Sequence, residues 1–202
     1  MSENKQYEIE YKVQAVKLAK KIGAVNAANA YRSDEIDEII SYCGHIIFNS
    51  FSQLDLYRDK VLNAGKKIGL RINPEFSTQE GHEIYDPCSK KSRLGITLKN
   101  FQADNLNGVS GLHFHTLCEQ NSDDLEKTLN AVEEKFGSYL NQMEWINFGG
   151  GHHITRDDYD IITLERCIKR MQDKYGLEVY LEPGEAIALN VSISSISFSD
   201  VI

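Results

Sequence analysis

Three groups of residues in this chain have the types and spacing for chemistry. Gly149, Gly150 and Gly151 end the apolar run Trp145 to Phe148 and are followed by His152 and His153. Consecutive glycines let the backbone approach an anion and turn several N–H groups toward it, so a strand ending in three of them is a candidate phosphate cradle, with a helix expected to start just beyond. A flexible turn is the plainer alternative. His113 and His115 alternate within Leu112 to Thr116, so in a strand they share a face. Such a pair can ligate one metal, as in hydrolase barrels, or can be two structurally satisfied histidines. Glu182 ends the run Tyr180 to Glu182 immediately before Pro183 and Gly184, which delivers one carboxylate at a strand end.

Together these groups fit one ligand class better than any of them does alone. A pyridine ring bearing a 5′-phosphate needs a flat group against its face, a cradle for its phosphate, and a carboxylate to keep its ring nitrogen protonated. His115, Gly149 to Gly151 and Glu182 supply these in chain order. A metal centre on His113 and His115 would need further ligands from other strand ends.

The elements that must position them alternate. Apolar spacing predicts helices over 34–43, 50–65, 122–140 and 158–175, separated by strands at 45–49, 67–73, 109–116, 144–148 and 178–182, with a weaker strand within 25–30. In the second helix Leu54, Leu56, Tyr57 and Leu62 form the expected apolar face, with Ser50 and Gln53 at capping-box spacing. In the third, Ser122 is the expected cap and Leu125, Leu129, Val132, Phe136 and Leu140 form a continuous stripe; in the fourth, the stripe is Ile161, Leu164, Ile168 and Met171. Strand–helix alternation means parallel strands with helical crossovers, hence an α/β fold. A TIM-type (β/α)8 barrel is expected, with about six of its eight strands present. The polar residues cluster after the strands, where barrels and open α/β sheets both place their sites.

Composition narrows the function. The 202 residues are 41% hydrophobic and 26% charged, enough for a real core, and the net charge of −8 disfavours nucleic acid while suiting a cationic small substrate. No run reaches the ~18 apolar residues of a membrane span. Met1 to Tyr11 lacks the apolar centre of a signal peptide, and Cys43, Cys88, Cys118 and Cys167 are widely spaced without a CxxC pair, so a cytoplasmic location is expected.

Six stretches carry a resemblance: HIIFNSFSQ (45–53), RINPEF (71–76), YDPCSKKSRLGI (85–96), GLHFHTLCE (111–119), INFGGGHHIT (146–155) and YLEPGEAIAL (180–189). They resemble, in order, the barrel domain of fold-type III pyridoxal-phosphate decarboxylases, and within that group the carboxynorspermidine (carboxyspermidine) decarboxylases. The resemblance covers roughly 24–189. It implies pyridoxal 5′-phosphate as cofactor, a polyamine-like substrate in norspermidine and spermidine biosynthesis, and a homodimer. It also implies that His115 stacks on the cofactor, Gly149 to Gly151 hold its phosphate, Glu182 pairs with its ring nitrogen as the catalytic group, Arg93 lies near the ring, and Cys118, Glu119 and Glu185 face the substrate. Ornithine-type decarboxylases carry arginine where Glu185 stands, and a carboxylate there suits a cationic amine. The expected organisation is a divergent helical segment over 1–23, a partial barrel over 24–189, and the start of a carboxyl-terminal β domain over 190–202. The strand bearing the family's cofactor-attaching lysine and most of that second domain have no counterpart here, so the chain alone is expected to be inactive. A metal-dependent hydrolase and a non-catalytic remnant remain the alternatives.

Overall fold

The computed structural model describes residues 25–27 (backbone only), 35–79, 86–89 and 92–184. The segment 1–23, Glu185 and the tail 190–202 lie outside these residues.

Six strands lie side by side in chain order: β1 (Val25–Ala27), β2 (His45–Phe48), β3 (Lys67–Asn73), β5 (Val109–His113), β6 (Trp145–Asn147) and β7 (Glu178–Tyr180). A short β4 (Ile96–Thr97), in what reads as a polar loop, pairs with the end of β3. Every pairing is parallel. The connecting helices are α1 (Ile36–Tyr42), α2 (Phe51–Asn63), α3 (Ser122–Leu140) and α4 (Ile161–Tyr175). Right-handed crossovers between strands whose order never reverses put every helix on one side of the sheet. That winding makes a β/α barrel, whereas a doubly wound sheet reverses its order.

Strand alternation then sorts residues into two faces. Ile46, Phe48, Ile68, Leu70, Leu112, Phe114, Ile146 and Phe148 are fully buried and join the helix stripes in one hydrophobic core. The alternate positions face the barrel interior, in rows fixed by register: Ile47, Gly69, Gly111 and Trp145 in one, and Arg71, His113 and Asn147 in the next. The first row is an apolar plug, because the Trp145 indole fills the space left by the two glycines. The second is polar and lies nearer the strand ends, where the site forms.

Local signals fix the helices. Ser50 Oγ accepts from Gln53 N at 3.3 Å, while the Gln53 side chain caps Asn49 N at 2.8 Å, so the capping box closes one residue early. The buried face of α2 is Phe51, Leu54, Tyr57 and Val61; Leu56 is exposed and Leu62 turns outward under Gly108. Asn121, not Ser122, caps α3, accepting from Ser122 N at 2.8 Å, and the expected stripe is buried throughout. Helix α4 starts at Ile161 with Asp160 as cap, and it buries Leu164, Cys167 and Met171 while Ile161 faces out. Gly176, at φ 70°, ends it in the left-handed conformation that glycine adopts without a Cβ penalty.

Candidate functional site

The second interior row and the loops above it converge on one cluster. Asn147, the last residue of β6, is fully buried and donates through Nδ2 to Glu182 Oε1 at 2.9 Å, while its Oδ1 accepts from Gly149 N at 2.8 Å. Glu182 follows β7, held by a bond from its own N–H to Gly149 O at 2.9 Å. Its second oxygen, Oε2, lies 3.9 Å from His113 Nε2, and its side chain is 26% exposed. His115 sits just past β5, where Gly150 N donates to its Nδ1 at 3.4 Å. That bond makes Nδ1 an acceptor and leaves the proton of a neutral imidazole on Nε2.

The glycines are required by packing. Gly149 and Gly151 have φ of 73° and 81°, and a Cβ on Gly151 would fall 2.1 Å from Leu117 O. A Cβ on Gly150 would meet Glu182 O at 2.8 Å and His115 Cε1 at 3.1 Å. The loop is pinned from outside by Gln120, whose N–H donates to Gly151 O and whose carbonyl accepts from His153 N. Among the described residues, the Gly151 N–H has no hydrogen-bond partner, which suits an anion-binding turn. The cradle does not open a helix: α4 begins only at Ile161, so the loop amides act without a helix dipole behind them.

Charge in the cluster is arranged by burial. Arg71, 4% exposed on β3, is the cation of the interior. Burial, then Arg71, depresses the His115 pKa; burial, Arg71 and His115 depress His113 well below the usual histidine range, so both rings are neutral. Burial raises the Glu182 pKa, and the Asn147 bond and Arg71 oppose that shift in favour of the carboxylate. His152, behind the loop, is pushed down to about 4, mainly by burial.

Thus the structure brings together His113, His115, Gly149 to Gly151 and Glu182 from three different strand ends. Cys118 and Glu119 are exposed on the loop after β5, and Glu119 has a left-handed φ of 55°, a strained conformation for a non-glycine residue. Arg93 is exposed and lines a recess with Ser50, Ser52, Thr97 and Lys99; among the described residues its side chain makes no hydrogen bond or ion pair with the cluster. His113, His115 and Glu182 also place one ligand atom each within 4.8 Å of one another, so the third ligand that the two histidines lacked in sequence is Glu182. Sequence reasoning missed Arg71 and Asn147 as site residues, although their alternation with His113 on neighbouring strands is the signal that finds them.

The fold is that of the barrel domain of fold-type III decarboxylases. No family model matches the chain. It is 47% identical over 173 residues to the carboxynorspermidine/carboxyspermidine decarboxylase of Campylobacter jejuni, a match covering 86% of this chain and 44% of that protein. It is 39% identical over 176 residues to the carboxyaminopropylagmatine decarboxylase of a Synechocystis strain, covering 87% and 45% respectively. The crystal structure of Campylobacter jejuni carboxynorspermidine decarboxylase complexed with norspermidine superposes with a TM-score of 0.72 at 45% identity, over 85% of this chain and 44% of that one. Over the matched span the chain is similar to carboxynorspermidine/carboxyspermidine decarboxylases, and it spans under half the length of these relatives.

Proposed function

We propose that this chain is the cofactor-cradling part of a pyridoxal 5′-phosphate-dependent decarboxylase for carboxynorspermidine or carboxyspermidine. The observation that carries the reading is the single cluster in which a glycine loop, a neutral histidine and a half-buried carboxylate meet at adjacent parallel strand ends. The residues fit the group. Gly150 and Gly151 offer backbone to a phosphate where side chains would collide. His115 offers a flat uncharged ring. Glu182 keeps Oε2 available to a ring nitrogen because Oε1 is occupied by Asn147.

When bound, the cofactor accepts the electron pair of the breaking Cα–carboxyl bond. The protein's part is to keep Glu182 anionic so that the ring nitrogen stays protonated, to hold the ring flat against His115, and to keep either histidine from pairing as a cation with Oε2, both rings being neutral. Cys118, Glu119 and Glu185 are assigned to the substrate side and Arg93 to the margin of the cofactor ring. The reading carries with it a homodimeric cytoplasmic enzyme; none of the four cysteines is in a disulfide, and no described helix is long and apolar enough to cross a membrane.

The His113–His115–Glu182 cluster is also the specific feature that a metal reading would use. The engagement of His115 Nδ1 by Gly150 and of Glu182 Oε1 by Asn147, with the similarity to carboxynorspermidine/carboxyspermidine decarboxylases, favours the decarboxylase. No described lysine hydrogen-bonds or ion-pairs with the cluster; Lys60, Lys67 and Lys174 pair with Asp37, Glu144 and Glu133 instead. The test is a chimera in which residues 24–184 replace the matched span of the Campylobacter jejuni relative. Release of CO2 from carboxynorspermidine or carboxyspermidine, abolished by Glu182→Gln, is expected. A folded chimera that is inert on both and on carboxyaminopropylagmatine would contradict the proposal.

A further inference from the structure

We propose that Asn147 is a positioning residue that sets, through one side-chain amide, both the orientation of the Glu182 carboxylate and the shape of the phosphate loop. The inference rests on the cofactor reading above and adds to it a coupling between the two ends of the ligand.

The geometry is a closed ring. Asn147 Nδ2 donates to Glu182 Oε1 at 2.9 Å, Asn147 Oδ1 accepts from Gly149 N at 2.8 Å, and Glu182 N donates back to Gly149 O at 2.9 Å. An amide has one donor end and one acceptor end, so these two bonds fix its flip without ambiguity. No shorter side chain spans both partners, and an aspartate loses the donor unless it takes up a proton. Asn147 is itself fully buried on a strand paired on both sides, and its carbonyl accepts from Phe114 N at 3.0 Å. A small displacement of the carboxylate is therefore transmitted to Gly149, and the reverse. The charged and titratable groups that face Glu182 are Arg71 on β3, and His113 and His115 at the end of β5, both neutral.

A purely structural asparagine would satisfy the same buried groups without governing ligand chemistry, so the test must read the ligand. The purified chain, as wild type, Glu182→Gln and Asn147→Ala, is titrated with pyridoxal 5′-phosphate and with inorganic phosphate, and the ring-nitrogen NMR shift of 15N-labelled cofactor is recorded. Glu182→Gln is expected to move the ring-nitrogen signal toward the unprotonated form while phosphate affinity stays within about twofold. Asn147→Ala is expected to do both, moving the ring signal and weakening inorganic phosphate on the order of tenfold, the loss of one hydrogen bond at each end. Asn147→Asp provides the check should the alanine variant fail to fold. It keeps an acceptor for Gly149, but donates to Glu182 only when one of the two carboxyls holds a proton, so its ring-nitrogen signal is expected to become pH-dependent. A folded Asn147→Ala with wild-type ring signal and phosphate affinity, or a pH-independent ring signal in Asn147→Asp, overturns the role of Asn147 alone. A wild-type chain that binds neither probe overturns the cofactor reading and this inference together.

Discussion

The indole of Trp145 on β6 occupies the volume that a side chain at Gly111 on β5 would need. A Cβ at position 111 would lie 2.1 Å from Trp145 Cδ2 and Cε2, and one at Gly69 would lie 2.3 Å from Cη2. The indole also donates to Ser110 Oγ at 3.0 Å and packs edge-on against His45 and Tyr180, so it has no open direction in which to retreat. Gly111→Ala is therefore expected to destabilise the chain by about 3 kcal/mol, the upper range of overpacking costs. Urea unfolding measures it, and a change under about 0.5 kcal/mol, typical of a neutral surface site, would show that the plug is loose.

Gly150 differs from its neighbours because its φ does not require glycine and only the space around it does. Alanine there forces the loop away from Glu182 O and His115. Gly150→Ala is expected to leave the fold intact by circular dichroism and to weaken pyridoxal 5′-phosphate by at least about tenfold, the equivalent of one or two lost hydrogen bonds to an anion. Unchanged affinity would place the phosphate elsewhere.

Stability should fall on mild acidification. In the folded chain His152 is neutral down to about 4, whereas in the unfolded chain a histidine takes up its proton near ~6.5. Below that unfolded value the unfolded state binds more protons, so stability decreases as pH falls and is regained as pH rises. The window for His152 runs from ~6.5 down to about 4, and His113, shifted in the same direction, adds to it. Unfolding free energies at pH 7.5 and 5.0 are expected to differ by roughly 2 kcal/mol from His152 alone. His152→Gln should flatten part of the slope. A wild-type stability that is flat across this range would mean that the buried rings are solvated.

How far this was legible from sequence depends on which physical signal each residue leaves. Periodicity gave α3 in full because Leu125 to Leu140 is a regular stripe on a helix buried along one side. It overreached for Leu56 and Ile161, since apolar residues on amphipathic helices also occur on the outer face, and only the position of the sheet decides. The strand ends were readable from glycine, histidine and Glu-Pro-Gly. Arg71 and Asn147 were not, because a polar residue inside an apolar strand looks like an interruption until the register lines it up with His113. The short β4 hid in a polar loop because two residues carry no alternation.

The most direct test of the central claim is a crystal structure of the chain soaked with pyridoxal 5′-phosphate. The account predicts phosphate density against the Gly151 N–H, the ring face on His115, and the ring nitrogen within hydrogen-bonding distance of Glu182 Oε2. A ring bound elsewhere, or a metal ion held by His113, His115 and Glu182 in its place, would contradict it.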